Sequence, residues 1–337
     1  MRERVKGISM TSLRIASAVL ALSALGSVAC GGDDGGAAGS GGSGGAGGSG
    51  GTVTGGAGGG GGSAGSGGGA SCAEAPGFPS SDTDHAIEEV TGTVLDLAGA
   101  PAAGVPAQVC GLDVCLYGST TDQGVVCNPD KTSGLCIPGI LPDAGTTFKR
   151  PAFKYGDGIG YVRFAQLLPT NVSKYALGDV VTAKLPDPAQ GVALAGGSSA
   201  TSNGVTLTLA AGTKIKFDEL TFDTEELQKF RAVELPMAKA PPAVDSAAGF
   251  EILVGTTPIE SDFCPHATLS VPNTPGWPAG TEVEFWIHGV TASEGWWAPY
   301  GGWAKVSGGK VSADGKSVVT NDGEGVPSLS VFGVKKK

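Results

Sequence analysis

The chain has 337 residues, a formal charge of −10 and only 16% charged residues, with 59 glycines against 5 tryptophans. An acidic surface repels phosphate backbones, so nucleic acid is excluded as a partner class; the closing Lys335-Lys336-Lys337 reads as a solvated tail. The three histidines are scattered and no two cysteines have the spacing of a zinc knuckle, so neither a metal nor another cofactor is expected.

In chain order, the first element is an apolar run over residues 15–29 behind a basic lead of Arg2, Arg4, Lys6 and Arg14. At 15 residues it is shorter than the roughly 20 that span a bilayer as a helix, so residues 1–29 read as a cleaved signal peptide, with Met10 an equal candidate for the start. Residues 31–70 follow, of which 24 are glycine. Glycine, serine and alanine have too little to bury to repay the entropy of ordering, so residues 30–70 read as a disordered Gly-rich tether. As a Gly-rich coil it spans about 35 Å r.m.s.. The apolar run closing on Ser27-Val28-Ala29-Cys30 resembles the signal peptide and lipobox of bacterial lipoproteins. That resemblance implies that Cys30 is the lipidated first residue, that the membrane is a partner through this N-terminal lipid anchor, and that the protein is exported to the cell envelope, at the outer membrane or cell surface. A cut at the same site by an ordinary signal peptidase would instead leave Cys30 a free thiol on a soluble product.

With Cys30 set aside, six cysteines remain: Cys72, Cys110, Cys115, Cys127, Cys136 and Cys264. An even number in an exported chain predicts disulfides, because oxidising compartments let them persist; the connectivity is open among 15 pairings. The favoured local pair is Cys127 with Cys136, which bracket the turn residues Asn128-Pro129-Asp130 and Ser133-Gly134.

The remaining residues are predicted to be all-β, as two antiparallel β-sandwich-like domains over 71–185 and 186–337, divided at Pro186-Asp187-Pro188. In the first, short apolar runs at 90–97, 106–110, 114–117 and 125–126 alternate with turns such as Asp122-Gln123-Gly124. Val90-Thr91-Gly92-Thr93-Val94-Leu95-Asp96, then Gly99, Pro101, Gly104-Val105-Pro106 and Thr121-Asp122-Gln123-Gly124, resemble the carboxypeptidase regulatory-like domain. The resemblance covers residues 90–126 and implies a small transthyretin-like sandwich that carries no catalytic residue. In the second domain, strands are expected at 204–209, 214–217, 250–254, 267–271, 282–289, 303–306, 317–320 and 328–334. One helix is expected over 223–233, capped by Thr224, acidic at Glu225 and Glu226, with Leu227 and Phe230 on one face. Asp314-Gly315 is a two-residue hairpin turn. Pro278-Ala279-Gly280-Thr281 before a strand is similar to β modules of bacterial surface proteins.

Catalytic signatures are sparse. No G-x-S-x-G elbow is present, and Cys264-Pro265-His266 reads as a disulfide cysteine beside a surface histidine. His288 reads as a half-exposed structural residue, and Asp218, Glu219, Asp223, Glu225 and Glu226 as a solvated, dipole-complementing cluster. The concentrated feature is Trp296, Trp297, Tyr300 and Trp303 among glycine and proline, where flat rings either close the end of a core or bind a ligand. The sequence therefore predicts a non-catalytic binding or structural protein of the cell envelope, with envelope polysaccharide or a surface protein as partner. The alternatives are a carbohydrate-binding module using the four rings, and a secreted hydrolase with converging carboxylates or His266.

Overall fold

The computed structural model describes residues 72–79, 84–129 and 136–337. The apolar run, Cys30 and the glycine tract lie outside the described residues. The first ten strands are β1 (Asp84–Ala86), β2 (Glu89–Leu95), β3 (Pro106–Cys110), β4 (Cys115–Thr120), β5 (Val126–Pro129), β6 (Cys136–Pro138), β7 (Thr147–Lys149), β8 (Ala152–Tyr155), β9 (Phe164–Leu167) and β10 (Lys174–Val181). Six of them form an antiparallel sheet in the order β6-β5-β4-β3-β8-β9. β2 pairs with β10 in parallel, a departure from the antiparallel expectation. The reason is the connection: β3 to β9 all intervene, a crossover long enough to return the chain in the same direction.

Beyond Pro186 follow β11 (Ser199–Ser202), β12 (Val205–Thr208), β13 (Lys214–Lys216), β14 (Arg231–Glu234), β15 (Ile252–Thr257), β16 (Asp262–Pro272), β17 (Glu282–His288), β18 (Trp303–Val311), β19 (Ser317–Thr320), β20 (Val326–Ser328) and β21 (Val331–Lys336). They make one 11-stranded sheet in the order β11-β12-β16-β19-β18-β17-β21-β15-β14, with β13 and β20 also paired to β16. The sheet curls into a nearly closed barrel whose seam is sewn by side chains. Asn203 Nδ2 donates to the Ala232 carbonyl at 2.9 Å, and Ala232 N–H donates to Ser202 Oγ at 3.1 Å. Thus the edges β11 and β14 bond to each other instead of standing open.

The expected helix over 223–233 is not formed; among the described residues the only helical elements are three-residue 3₁₀ turns. Thr224 does cap a single turn, its Oγ1 accepting from Leu227 N–H at 3.4 Å. Phe230 then exchanges backbone bonds with Val192, and residues 231–234 pair with β15. Burying Phe230 and Arg231 in sheet pairing outweighs a short run's helix propensity.

Strands β15 and β21 explain how the two halves join. Ile252 and Val254 point into the barrel core, whereas Leu253 between them belongs to a core shared with Val90, Phe153, Tyr155 and Phe164 of the first half. Phe332 and Val334 likewise face inward while Val331 faces the first half. Period-two alternation puts successive side chains on opposite faces, so a strand apolar at every position is buried on both. Gly255 sits at the closest approach: a Cβ there would lie 2.5 Å from Val162 Cγ2. The residues on either side of Pro186 therefore pack through a common apolar layer, where each fully buried phenylalanine contributes about 1.5–3 kcal/mol.

Candidate functional site

The aromatic segment after β17 folds back on that strand's end. Gly289 N–H donates to the Gly302 carbonyl at 2.9 Å, and Gly301 N–H donates to the Gly289 carbonyl at 2.7 Å. A side chain at Gly289 would overlap the Pro299 carbonyl, so the fold-back needs glycine there.

The segment does not present its four rings on one surface. Tyr300 is 2% exposed, packs with Cys110, Ala152 and Ala165, and donates its hydroxyl to the Cys110 carbonyl at 3.1 Å. Burial pushes its phenol well above the usual range. Trp303 is half-buried, donates its indole N–H to the Ala243 carbonyl at 3.1 Å, and stacks on His288 with centroids 4.7 Å apart. Trp296 is 7% exposed within the barrel core. Trp297 is half-buried, with its indole N–H on Asp262 Oδ1 at 3.2 Å and the His266 ring set edge-on at 5.4 Å. Tyr300 thus joins the two halves, Trp303 packs against the core they share, and Trp296 and Trp297 stand beside β13 and β16.

His288, expected to be half exposed, is fully buried. Its Nε2 accepts the Ala165 N–H at 3.1 Å, which leaves the proton on Nδ1 to donate to the Gly302 carbonyl at 2.9 Å. Burial pushes its pKa down to about 4, so the ring is a neutral bridge between β9 and the aromatic segment. Nearby, burial and then the Arg163 charge push the mostly buried Lys154 down to about 8. Arg163 donates to the Asp157 carbonyl at 2.7 Å and lies 3.6 Å from Glu260. These groups are committed to the joint and offer no nucleophile–base pair open to solvent.

Several hollows lie on the barrel, and three of them hold the charged and aromatic residues of interest. A cleft of about 650 Å³ over β17, β18 and β19 is lined by Glu282, Lys305, Lys310, Asn321, Glu324 and Lys337. Most of its charges are matched: Lys305 holds Glu284 at 3.1 Å and Lys337 holds Glu282 at 3.0 Å. The Gly308 N–H, then Asn321, keep the Glu324 carboxyl below its usual range. A second hollow, about 570 Å³, lies where β13 runs into the turn at Asp218, against Glu260, Thr291 and Trp296. A third, about 350 Å³, opens between residues 72–75, β13 and Trp297.

Two of the cysteine pairings are resolved. Cys110–Cys115 closes the β3–β4 hairpin with Cα atoms 4.0 Å apart, and Cys72–Cys264 joins positions 192 residues apart with Cα atoms 5.4 Å apart. Cys127 is also disulfide-bonded; the side chain of its expected partner Cys136 lies outside the described residues. Because Cys264 is oxidised, no Cys264–His266 thiolate–imidazole pair forms; the His266 Nδ1 is 2.9 Å from the Glu324 carbonyl. Asp223, Glu225 and Glu226 are exposed and line none of these hollows. Lys216 and Asp262 meet only through the pairing of β13 with β16 and carry no local signature, so sequence reasoning did not bring them together.

Among the described residues no group of three or more His, Cys, Asp or Glu side chains is placed to hold a metal, and no helix is long and apolar enough to cross a membrane. No protein-family model matches the chain and no curated protein matches it in sequence, so the lipoprotein and carboxypeptidase regulatory-like resemblances stand on their own residues. Among solved structures, the full-length major pilin SpaD from Corynebacterium diphtheriae is similar at a TM-score of 0.19 and 10% identity, covering 74% of this chain and 56% of that one. The Bacillus anthracis TIE protein is similar at a TM-score of 0.20 and 10% identity, covering 75% and 49%. The chain spans about half the length of these structures, and likeness at that level carries no argument about function.

Proposed function

We propose that the protein is a non-catalytic binding or structural component of the bacterial cell envelope, its β body displayed on the glycine-rich tether from a lipid on Cys30. In this reading residues 71–185 and 186–337 act as one body, because they share a core. The observation that carries the proposal is the Cys72–Cys264 disulfide. Cys72 stands two residues past the glycine tract, and Cys264 lies in β16, which pairs with β12, β13, β19 and β20. Tension arriving along a tether would enter the most heavily paired strand of the barrel through a covalent bond, without first peeling away short β1. Disulfides also persist in the oxidising surroundings that an exported protein meets.

The test is a Cys30→Ala variant expressed with its leader. It is expected to leave the membrane fraction for the soluble one while keeping the wild-type circular dichroism spectrum. Unchanged membrane association of the variant overturns the anchor.

A further inference from the structure

We infer that Asn203 is a site of spontaneous covalent modification, and that its conversion to aspartate or isoaspartate unfastens the seam of the barrel. The inference is independent of the envelope reading. Asn203 and Gly204 are the two-residue loop of the β11–β12 hairpin, whose last paired positions are Ser202 and Val205. Their φ angles of 47° and 79° put both in the left-handed region, the turn that Asn-Gly favours between antiparallel strands. Of the chain's five asparagines only Asn203 precedes glycine; Asn128 precedes proline, and Asn171, Asn273 and Asn321 precede valine, threonine and aspartate.

Glycine matters at the next position because its amide nitrogen is the nucleophile. The Gly204 nitrogen attacks Asn203 Cγ and an N–C bond closes a five-membered imide; the Cγ–Nδ2 bond breaks, and Nδ2 leaves as ammonia with the Gly204 amide proton. Water then opens the imide at one of its two carbonyls, giving either aspartate or an isoaspartyl link that carries the chain through Cγ. No Cβ on Gly204 shields the attacking nitrogen, both residues are exposed, and the Gly204 N–H has no hydrogen-bond partner among the described residues.

The seam restrains the reaction. Asn203 Nδ2, the nitrogen that must leave, donates to the Ala232 carbonyl at 2.9 Å. Conversion therefore belongs to molecules whose seam has opened. β11 is where opening costs least: it is four residues long, pairs with β12 alone, and is tied to Ala232 through Asn203 and Ser202 side chains. After conversion to aspartate a carboxylate oxygen faces the Ala232 carbonyl where a donor stood. An isoaspartyl link instead adds a backbone carbon to a loop whose length sets the hairpin register. Either product keeps the seam from reclosing and leaves β11 and β14 as open edges.

The experiment holds the folded full chain at 37 °C in mildly alkaline buffer and follows it by peptide mapping and hydrogen exchange. The peptide carrying Asn203 is expected to gain the mass difference between water and ammonia before those carrying Asn171, Asn273 or Asn321, and its product to be methylated by an isoaspartate-specific methyltransferase. Ser202→Ala, which removes the second tie to Ala232, should speed conversion by about two- to tenfold, the weight of one net hydrogen bond. Asn203→Asp should make the amides of residues 199–202 and 231–234 exchange faster by about the same factor. Asn203→Gly suits the turn and has no carboxamide, so its peptide should gain no mass. No gain at Asn203, an equal gain at the other asparagines, a wild-type conversion rate in Ser202→Ala, or wild-type exchange in Asn203→Asp each overturns the inference.

Discussion

His288 shows how one buried side chain sets the conditions under which the molecule holds together. Its ring is neutral because Nε2 accepts the Ala165 N–H inside a fully buried site, and burial pushes its pKa to about 4. In the unfolded chain the same ring titrates near about 6.5. Below that pH the unfolded chain takes up a proton that the folded chain refuses, so the folded state loses ground as pH falls. The contribution is whole above pH 6.5, declines through the window down to about 4 and is flat below it; linkage gives a loss of about 3 kcal/mol across the window. His288→Gln should lower stability at pH 7.5 by about 1–3 kcal/mol, since the bridge to Ala165 and Gly302 is disturbed. It should also flatten this part of the pH dependence. Urea denaturation of both proteins at pH 7.5 and 4.5 checks the difference; equal slopes would remove His288 from the account.

Among the elements, the fold-back of residues 289–302 most directly joins the halves. Gly289 donates its N–H to the Gly302 carbonyl and accepts the Gly301 N–H, and Tyr300 reaches across to the β3–β4 hairpin. No room exists for a Cβ at Gly289 against the Pro299 carbonyl. Gly289→Ala should therefore shift the segment, loosen the Tyr300 and Trp303 contacts, and cost about 2–4 kcal/mol. Gly160→Ala is the matched control, because the nearest atom to the added carbon is 3.8 Å away and the cost should stay within about 1 kcal/mol. Chemical denaturation followed by tryptophan fluorescence reads both, and near-equal costs would show that the close approach does not govern the joint.

For the whole molecule, the Cys72–Cys264 bond is the longest-range covalent constraint among the described residues, spanning 192 positions. A loop of that length places its effect near the top of the range for disulfides, up to about 5 kcal/mol, largely by restricting the unfolded chain. The Cys72→Ser, Cys264→Ser double variant should lose stability by several kcal/mol on that scale and should make residues 72–79 susceptible to protease while the barrel resists. Limited proteolysis with mass spectrometry reads the second effect; equal resistance in both proteins would show that the Phe78–Glu294 backbone bond and its neighbours suffice to hold the segment.

Local chemistry in the sequence was enough to determine the strand-rich class, the turns at Asp122-Gln123-Gly124 and Asp314-Gly315, the tendency to disulfides and the weight of the aromatic segment. Each depends on neighbours a few residues apart: period-two alternation, turn residues, or an even cysteine set in a chain with an export-like leader. Only the tertiary structure decided which cysteines meet, that β2 and β10 run parallel, and that residues 231–234 join a sheet where a helix was expected. It also decided that Tyr300 is buried at the joint while Trp297 lines a hollow beside residues 72–75 and β13. The physical reason is sequence separation: Cys72 meets Cys264, and Tyr300 meets Cys110, only after the chain has paid the loop-closure entropy of many intervening residues, and no local pattern records which distant surfaces repay it.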